Sequence, residues 1–325
     1  MNHTTDNRAQ LLQDWINSLF DVLEDSFEAV SGDASFRRYF RFIAKNEMGF
    51  KQLPLIAVDA PPEKEDSQRF IDIALLLIDH KLPAPKIYMA SDDGFYIQQD
   101  FGDQLLYSLL NENSSDHLYS TAMNHIVAMQ QLPTSSLPSY NSELLQTEMT
   151  LFTDWFLKKH LNILLSHNDK EMLATTYQLL ENNALEQPQA FVHRDYHSRN
   201  LMVLDDSNIG IIDFQDAVLG PITYDLVSLL RDCYIDWPQH KIDSWINQFT
   251  DKLSNQYDHA QFVRWFDLMG MQRHLKATGI FSRLNYRDNK PSYMNDIPRT
   301  MHYIMTVSEK YPELKPFHTF VNNLI

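Results

Sequence analysis

Leu11, Leu12, Trp15, Ile16, Leu19, Phe20 and Leu23 recur three and four positions apart, the period of one apolar helix face, so the chain is expected to open with an amphipathic helix packed on a core. From Phe36 the period changes. Large apolar and basic residues alternate through Phe36-Arg37-Arg38-Tyr39-Phe40-Arg41-Phe42, as on a half-buried strand, and Ser31-Gly32-Asp33-Ala34-Ser35 before it reads as a turn between two strands. Leu55-Ile56-Ala57-Val58 is a third strand candidate, stopped by Pro61-Pro62. Phe70, Ile71, Ile73, Ala74, Leu77 and Ile78 return to helical spacing, and Tyr88 with Phe95-Tyr96-Ile97 suggests a closing hairpin. Up to Gln99 the pattern is thus a small mixed sheet carrying one helix. Beyond it the pattern is mainly helical, interrupted by Ala190-Phe191-Val192-His193 and Ile209-Gly210-Ile211-Ile212-Asp213, two apolar runs that read as buried strands.

Composition narrows this picture. With 325 residues the chain is long enough for two lobes, 1–99 and 100–325, each with a core. Lys and Arg number 27 against 43 Asp and Glu, a net charge of −16 that repels nucleic acid and anionic membrane surfaces. The lone cysteine, Cys233, excludes an internal disulfide and any cysteine-built metal centre. No apolar run approaches a membrane span and no leader pattern is visible, so a cytoplasmic protein that binds neither membrane nor nucleic acid is expected, with a monomer as the default. Only 8 glycines occur, and neither GxGxxG nor GxxxxGK[ST] is among them.

The densest polar cluster is His193-Arg194-Asp195-Tyr196-His197-Ser198-Arg199-Asn200, followed by Ile212-Asp213-Phe214-Gln215-Asp216. Phosphoryl transfer from ATP needs little covalent help: a carboxylate to position the acceptor hydroxyl, and metal ions to neutralise the phosphates. The spacing of Asp195 and Asn200, five positions, is that of the kinase loop H-R-D-x-x-x-x-N, which makes Asp195 the base and Asn200 and Asp213 the magnesium ligands. Taken singly, His-Arg-Asp is an ordinary turn and Ile-Ile-Asp-Phe an ordinary strand end; it is their order and spacing that argue for chemistry. A site of two histidines and a carboxylate, His193, Asp195 and His197, is a weaker alternative that leaves Asn200 and Asp213 unexplained. Asp100-Phe101-Gly102 spells the D-F-G of protein kinases but precedes Asp195 instead of following it, so it reads as a lobe-joining segment in which Gln98, Gln99, Asp100 and Phe101 border adenine.

These motifs, with Gly220-Pro221-Ile222-Thr223-Tyr224-Asp225-Leu226, resemble the aminoglycoside phosphotransferase family, also called choline-kinase-like, which shares the protein-kinase fold. Ser31 to Arg41, Val58-Asp59-Ala60-Pro61-Pro62-Glu63, Gln272-Arg273-His274-Leu275-Lys276 through Arg283, and Pro298-Arg299-Thr300 resemble, more narrowly, bacterial anomeric kinases of N-acetylmuramate and N-acetylglucosamine that serve peptidoglycan recycling. The resemblance implies an α+β bilobal fold, with a small N-terminal antiparallel sheet lobe, a larger mainly helical C-terminal lobe and ATP in the cleft. It also implies ATP and Mg2+ as cofactors, an amino-sugar acceptor phosphorylated at C1, and Asp225 as a buried brace of the catalytic loop.

One departure matters. Where V-A-I-K of protein kinases ends in a phosphate-holding lysine, Ile56-Ala57-Val58 ends in Asp59. Arg37, Arg38 and Arg41 are the cations nearest the expected phosphate loop, Ser31, Gly32, Asp33, Ala34 and Ser35, and an arginine fork can grip phosphate. For the acceptor, Asp232, Arg273, His274, Lys276, Arg283 and Arg299 are the polar candidates, one of the cations being wanted for a lactyl carboxylate. Other small-molecule kinases of the same fold, and an inactive nucleotide-binding pseudokinase, are the competing readings.

Overall fold

The computed structural model describes residues 7–30, 36–45, 52–204, 208–253 and 256–324. Two compact units emerge, one of Met1–Gln104 with Met202–Gln215, the other of Leu105–Leu201 with Asp216–Ile325. The expected turn Ser31 to Ser35 lies outside the described residues.

The smaller unit opens with helix α1 (Asn7–Leu19), shorter than its apolar pattern. Leu23 has already left the helix, its N–H bonding to Ile43 O. Strands β1 (Glu28–Val30), β2 (Arg38–Lys45), β3 (Gln52–Asp59), β4 (Ile87–Ala90) and β5 (Phe95–Gln99) form an antiparallel sheet in the order β1-β2-β3-β5-β4. Alternation on β2 sends Phe40, Phe42 and Ala44 into a core with Leu12 and Ile16 of α1, Leu55, Ala57, Phe95 and Ile97. Tyr39 and Arg41 take the other face. Helix α2 (Ser67–Asp79) starts at the Asp66 cap, which accepts from Arg69 N–H at 2.9 Å, and its Phe70 packs on Tyr96 and Phe214. The β4–β5 turn needs Gly94, whose φ is +80° and where a Cβ would lie 2.1 Å from Ala60 O.

The segment 202–215 counts with this unit although it follows the catalytic loop in sequence. Val203 N–H bonds Gln104 O, Ile211 N–H bonds Pro83 O, and the Phe101 ring packs so closely over Gly210 that a Cβ there would meet it at 2.7 Å.

The larger unit is helical: α3 (Leu106–Leu109), α4 (Ser115–Met129), α5 (Ser142–Leu151) continuing as a π-helix over Phe152–His160, and α6 (His167–Glu186). Four short strands follow where the pattern had indicated two. β6 (Gln189–Val192) pairs with β9 (Val218–Pro221), and β7 (Leu201–Val203) with β8 (Ile209–Ile211), a hairpin that falls mostly in the smaller unit. The two strands not indicated, β7 and β9, are three and four residues long, too short for a two-residue alternation to show. Helices α7 (Tyr224–Leu230), α8 (Gln239–Lys252), α9 (His259–Asp288), α10 (Ile297–Lys310) and α11 (Lys315–Asn322) complete it, with α9 as the buried spine. Among the described residues, no helix is long and apolar enough to cross a membrane.

Candidate active site

The catalytic loop is held at both ends by buried carboxylates. Asp225, at the start of α7, accepts His193 N–H at 2.8 Å and Arg194 N–H at 3.1 Å. Those bonds secure Arg194 in the left-handed region, φ 76°, a conformation in which the Cβ of a non-glycine residue is crowded unless its surroundings impose it. Asp232, one of the expected acceptor-site residues, accepts Ser198 N–H at 2.9 Å and Tyr234 N–H at 2.9 Å, so it braces the loop's far end. Between them, Asn200 Nδ2 donates to Asp195 O at 3.1 Å, His197 N–H to the same carbonyl at 3.0 Å, and Tyr196 OH to Ala122 O on α4 at 3.0 Å. The Asp195 carboxylate is thereby set on a backbone with little freedom, as a group that must meet a hydroxyl in one orientation requires.

Burial pushes the Asp195 pKa up, but Lys276, His197, Arg273 and Arg194 outweigh it and hold the carboxyl well below its ordinary range, so that it is ionised. Asp225 goes the other way: burial raises it to about 6 against the pull of His193. His193 accepts Asp195 N–H on Nδ1 at 3.3 Å. Among the described residues no group of three His, Cys, Asp or Glu side chains is arranged to hold a metal, which removes the two-histidine alternative.

Glu148 on α5 is the buried carboxylate that sequence reasoning missed. It pairs with Arg194 at 2.5 Å and Lys276 at 3.1 Å, and accepts from Tyr140 OH and from Gln272 Nε2. Burial alone would raise its pKa; Lys276 and Arg194 lower it, and Glu148 in return keeps Lys276 charged in spite of burial. A single Glu in an amphipathic helix carries no signal of this in the sequence; only the packing of α5 on α9 reveals it.

The acceptor candidates on α9 and α10 separate by their partners. His274 is fully buried, stacks on Tyr303 and donates from Nε2 to Arg231 O, and burial lowers its pKa to about 3. Arg299 is engaged by Cys233 O at 2.7 Å and Asp296 at 3.2 Å. Lys276 bonds Tyr224 OH, and the charge of Asp195 acts on it. Arg283 is half-buried, and its Nε has no hydrogen-bond partner among the described residues.

In the smaller unit the three arginines also separate. Arg38 and Arg8 both clamp Asp59, which is buried: Arg38 Nε reaches it at 3.0 Å and Arg8 Nε at 2.8 Å. Arg41 ties β2 to Asp100 at 2.6 Å and Asp103 at 2.8 Å. Asp100 also accepts Gly102 N–H at 2.8 Å, so the Asp-Phe-Gly triplet is a turn braced by Arg41, while Gln99 N–H is used on Lys86 O. Arg37 is 4% exposed, pairs with Glu65 at 3.0 Å beside Phe70, and feels the charge of Asp213. Asp213 has φ 64° and accepts from Gln215 Nε2 at 2.8 Å. Its charge reaches Tyr39 too, whose pKa is pushed up to about 12, by burial first.

Residues 26–266 match the model of the phosphotransferase enzyme family. The N-acetylmuramate/N-acetylglucosamine kinase of Pseudomonas aeruginosa is 37% identical, over 95% of this chain and 94% of its own. The ethanolamine kinase of Plasmodium vivax has a similar fold, with a TM-score of 0.63 at 14% identity, over 95% of this chain and 88% of its own. A GDP complex of an aminoglycoside 2'-phosphotransferase gives 0.62 at 16% identity, over 90% of this chain and 98% of its own. With a loop built around one ionised aspartate and this match over most of its length, the chain belongs to the phosphotransferase enzyme family.

Proposed function

We propose that this chain is an ATP- and magnesium-dependent kinase that transfers the γ-phosphoryl group to the C1 hydroxyl of N-acetylmuramate and N-acetylglucosamine. What carries the reading is the 37% identity across nearly the whole chain to a kinase named for both sugars. Asp195 accepts the proton of the C1 hydroxyl, a hemiacetal oxygen that is more acidic than the other ring hydroxyls and so asks less of a carboxylate base.

Asn200 and Asp213 are the proposed magnesium ligands. Their side-chain oxygens are the hard donors such an ion takes. Bound there, the ion would neutralise charge on the phosphates. We assign ATP phosphates to Arg37 and the segment Ser31 to Ser35, adenine to the segment Gln98 to Phe101, and a lactyl carboxylate to Arg283. The need for ATP places the enzyme in the cytosol.

The test is phosphorylation of both free sugars and their 1-O-methyl glycosides, followed by phosphorus NMR of the products. C1 phosphates from the free sugars and no reaction of the glycosides are expected, with turnover lost in Asp195→Asn. Phosphate at C6, or normal turnover in that variant, would refute the reading.

A further inference from the structure

Among the described residues the buried and half-buried cations Arg194, Lys276, Arg231 and Arg299 each pair with a carboxylate, even where single nitrogens, Arg231 Nε and Nη1 and Arg194 Nε, have no partner of their own. Arg194 and Lys276 share Glu148, Arg231 has Asp267 at 2.7 Å, and Arg299 has Asp296 and a carbonyl. Arg273 breaks the rule. It is 5% exposed, its one hydrogen bond goes from Nη1 to Cys233 Sγ at 3.4 Å, and its Nε has no partner among the described residues. That thiol is neutral, since burial pushes its pKa up to about 11. Asp195 and Asp232 lie close enough for their charges to act on Arg273, yet neither hydrogen-bonds it. A buried guanidinium with a neutral sulfur as acceptor, an unpartnered Nε and no paired carboxylate is costly unless an anion completes it.

We propose that Arg273 is a catalytic residue that binds an oxygen of the phosphoryl group in transit. The proposal rests on the kinase reading above. In the step, the acceptor O–H gives its proton to the Asp195 carboxylate, the hydroxyl oxygen bonds the γ-phosphorus, and the bond from that phosphorus to the β,γ-bridging oxygen breaks, ADP leaving with the electron pair. Negative charge is spread over the equatorial oxygens throughout, and a preorganised guanidinium in a water-poor site stabilises it. The competing guest, a lactyl carboxylate, is attached at C3, two ring atoms from the reacting C1, and is missing from N-acetylglucosamine altogether. A cation held on Cys233, the neighbour of the Asp232 that braces the catalytic loop, is better placed for the group that arrives in every turnover.

Arg273→Met and Arg273→Lys test this in the full chain, with thermal unfolding as the fold control and Arg273→Gln in reserve should the methionine variant not fold. Loss of about 100-fold in kcat for both sugars alike is expected for Arg273→Met, with KM changed little and partial recovery in Arg273→Lys. Calorimetry with Mg·ADP and aluminium fluoride, a mimic of the phosphoryl group in transit, should show tighter binding than ADP alone in the wild type and no such gain in Arg273→Met. Loss confined to N-acetylmuramate would make Arg273 a carboxylate receptor and overturn the proposal. So would unchanged kcat with only a lowered Tm, or an unchanged gain with aluminium fluoride. If the wild type turns over neither sugar, the substrate reading fails, and the aluminium fluoride comparison, which uses no sugar, still decides the role of Arg273.

Discussion

Arg37, Arg38 and Arg41 lie within five positions, and each answers a different carboxylate. Arg38 is spent on Asp59, which occupies the place of the phosphate-holding lysine and locks α1 to β3 through Arg8. Arg41 is spent on Asp100 and Asp103. Arg37, set against Glu65 and within the field of Asp213, has the surroundings of the missing lysine: a carboxylate partner from the approach to α2 and a proposed metal-binding aspartate nearby. Arg37→Ala should therefore weaken ATP binding by about 10- to 100-fold, the worth of one or two charge-assisted hydrogen bonds, and leave sugar KM nearly unchanged. Nucleotide titration by calorimetry checks it; unaltered ATP affinity would return the role to another cation.

At the scale of elements, α9 carries most of the consequences. Thirty residues long, it brings Gln272 and Lys276 to Glu148, Arg273 to Cys233, and Thr278 to Thr300 on α10. Its approach to the end of α5 depends on Gly279, where a Cβ would lie 2.4 Å from Leu151 C and 2.6 Å from Leu151 O. Both contacts are backbone and cannot rotate away. Gly279→Ala should therefore force α9 from α5, costing about 1–3 kcal/mol of stability in spite of alanine's better helix propensity, and disturbing the Lys276–Glu148 pair as it does. Urea unfolding measures the first effect and sugar-kinase kcat the second. An alanine variant as stable as the parent would show that the helices slide apart freely.

For the whole molecule, the proposed ligands couple to folding. Anything that binds the native chain alone stabilises it by mass action, about 2.7 kcal/mol at about 100 times Kd, or a few degrees in Tm for a chain of this size. Mg·ATP should raise Tm by that order, EDTA should remove most of the rise, and Asp213→Ala should show a diminished shift at the same concentrations. A rise that is indifferent to chelation would rule out the metal assignment. Any cation gathered for ATP works against a net charge of −16, so phosphate binding must be local and built from named arginines rather than from the protein's overall field.

The sequence alone determined what short spacings encode. Asp195 and Asn200 stand five apart on one loop, the alternation in β2 and the period of α2 describe the sheet and its helix, and a lone cysteine precludes an internal disulfide. These are properties of neighbours along the chain. Tertiary structure decided what depends on distant partners: that Asp59 is a clamp for Arg8 and Arg38, that Glu148 underlies the catalytic loop, that His274 and Asp232 face inward, and that Arg273 is buried with so little to bind. A charged residue reads the same in sequence whether it meets water, a counter-ion or a substrate. Burial and the company it keeps, set by segments that can lie more than a hundred residues away, make the difference.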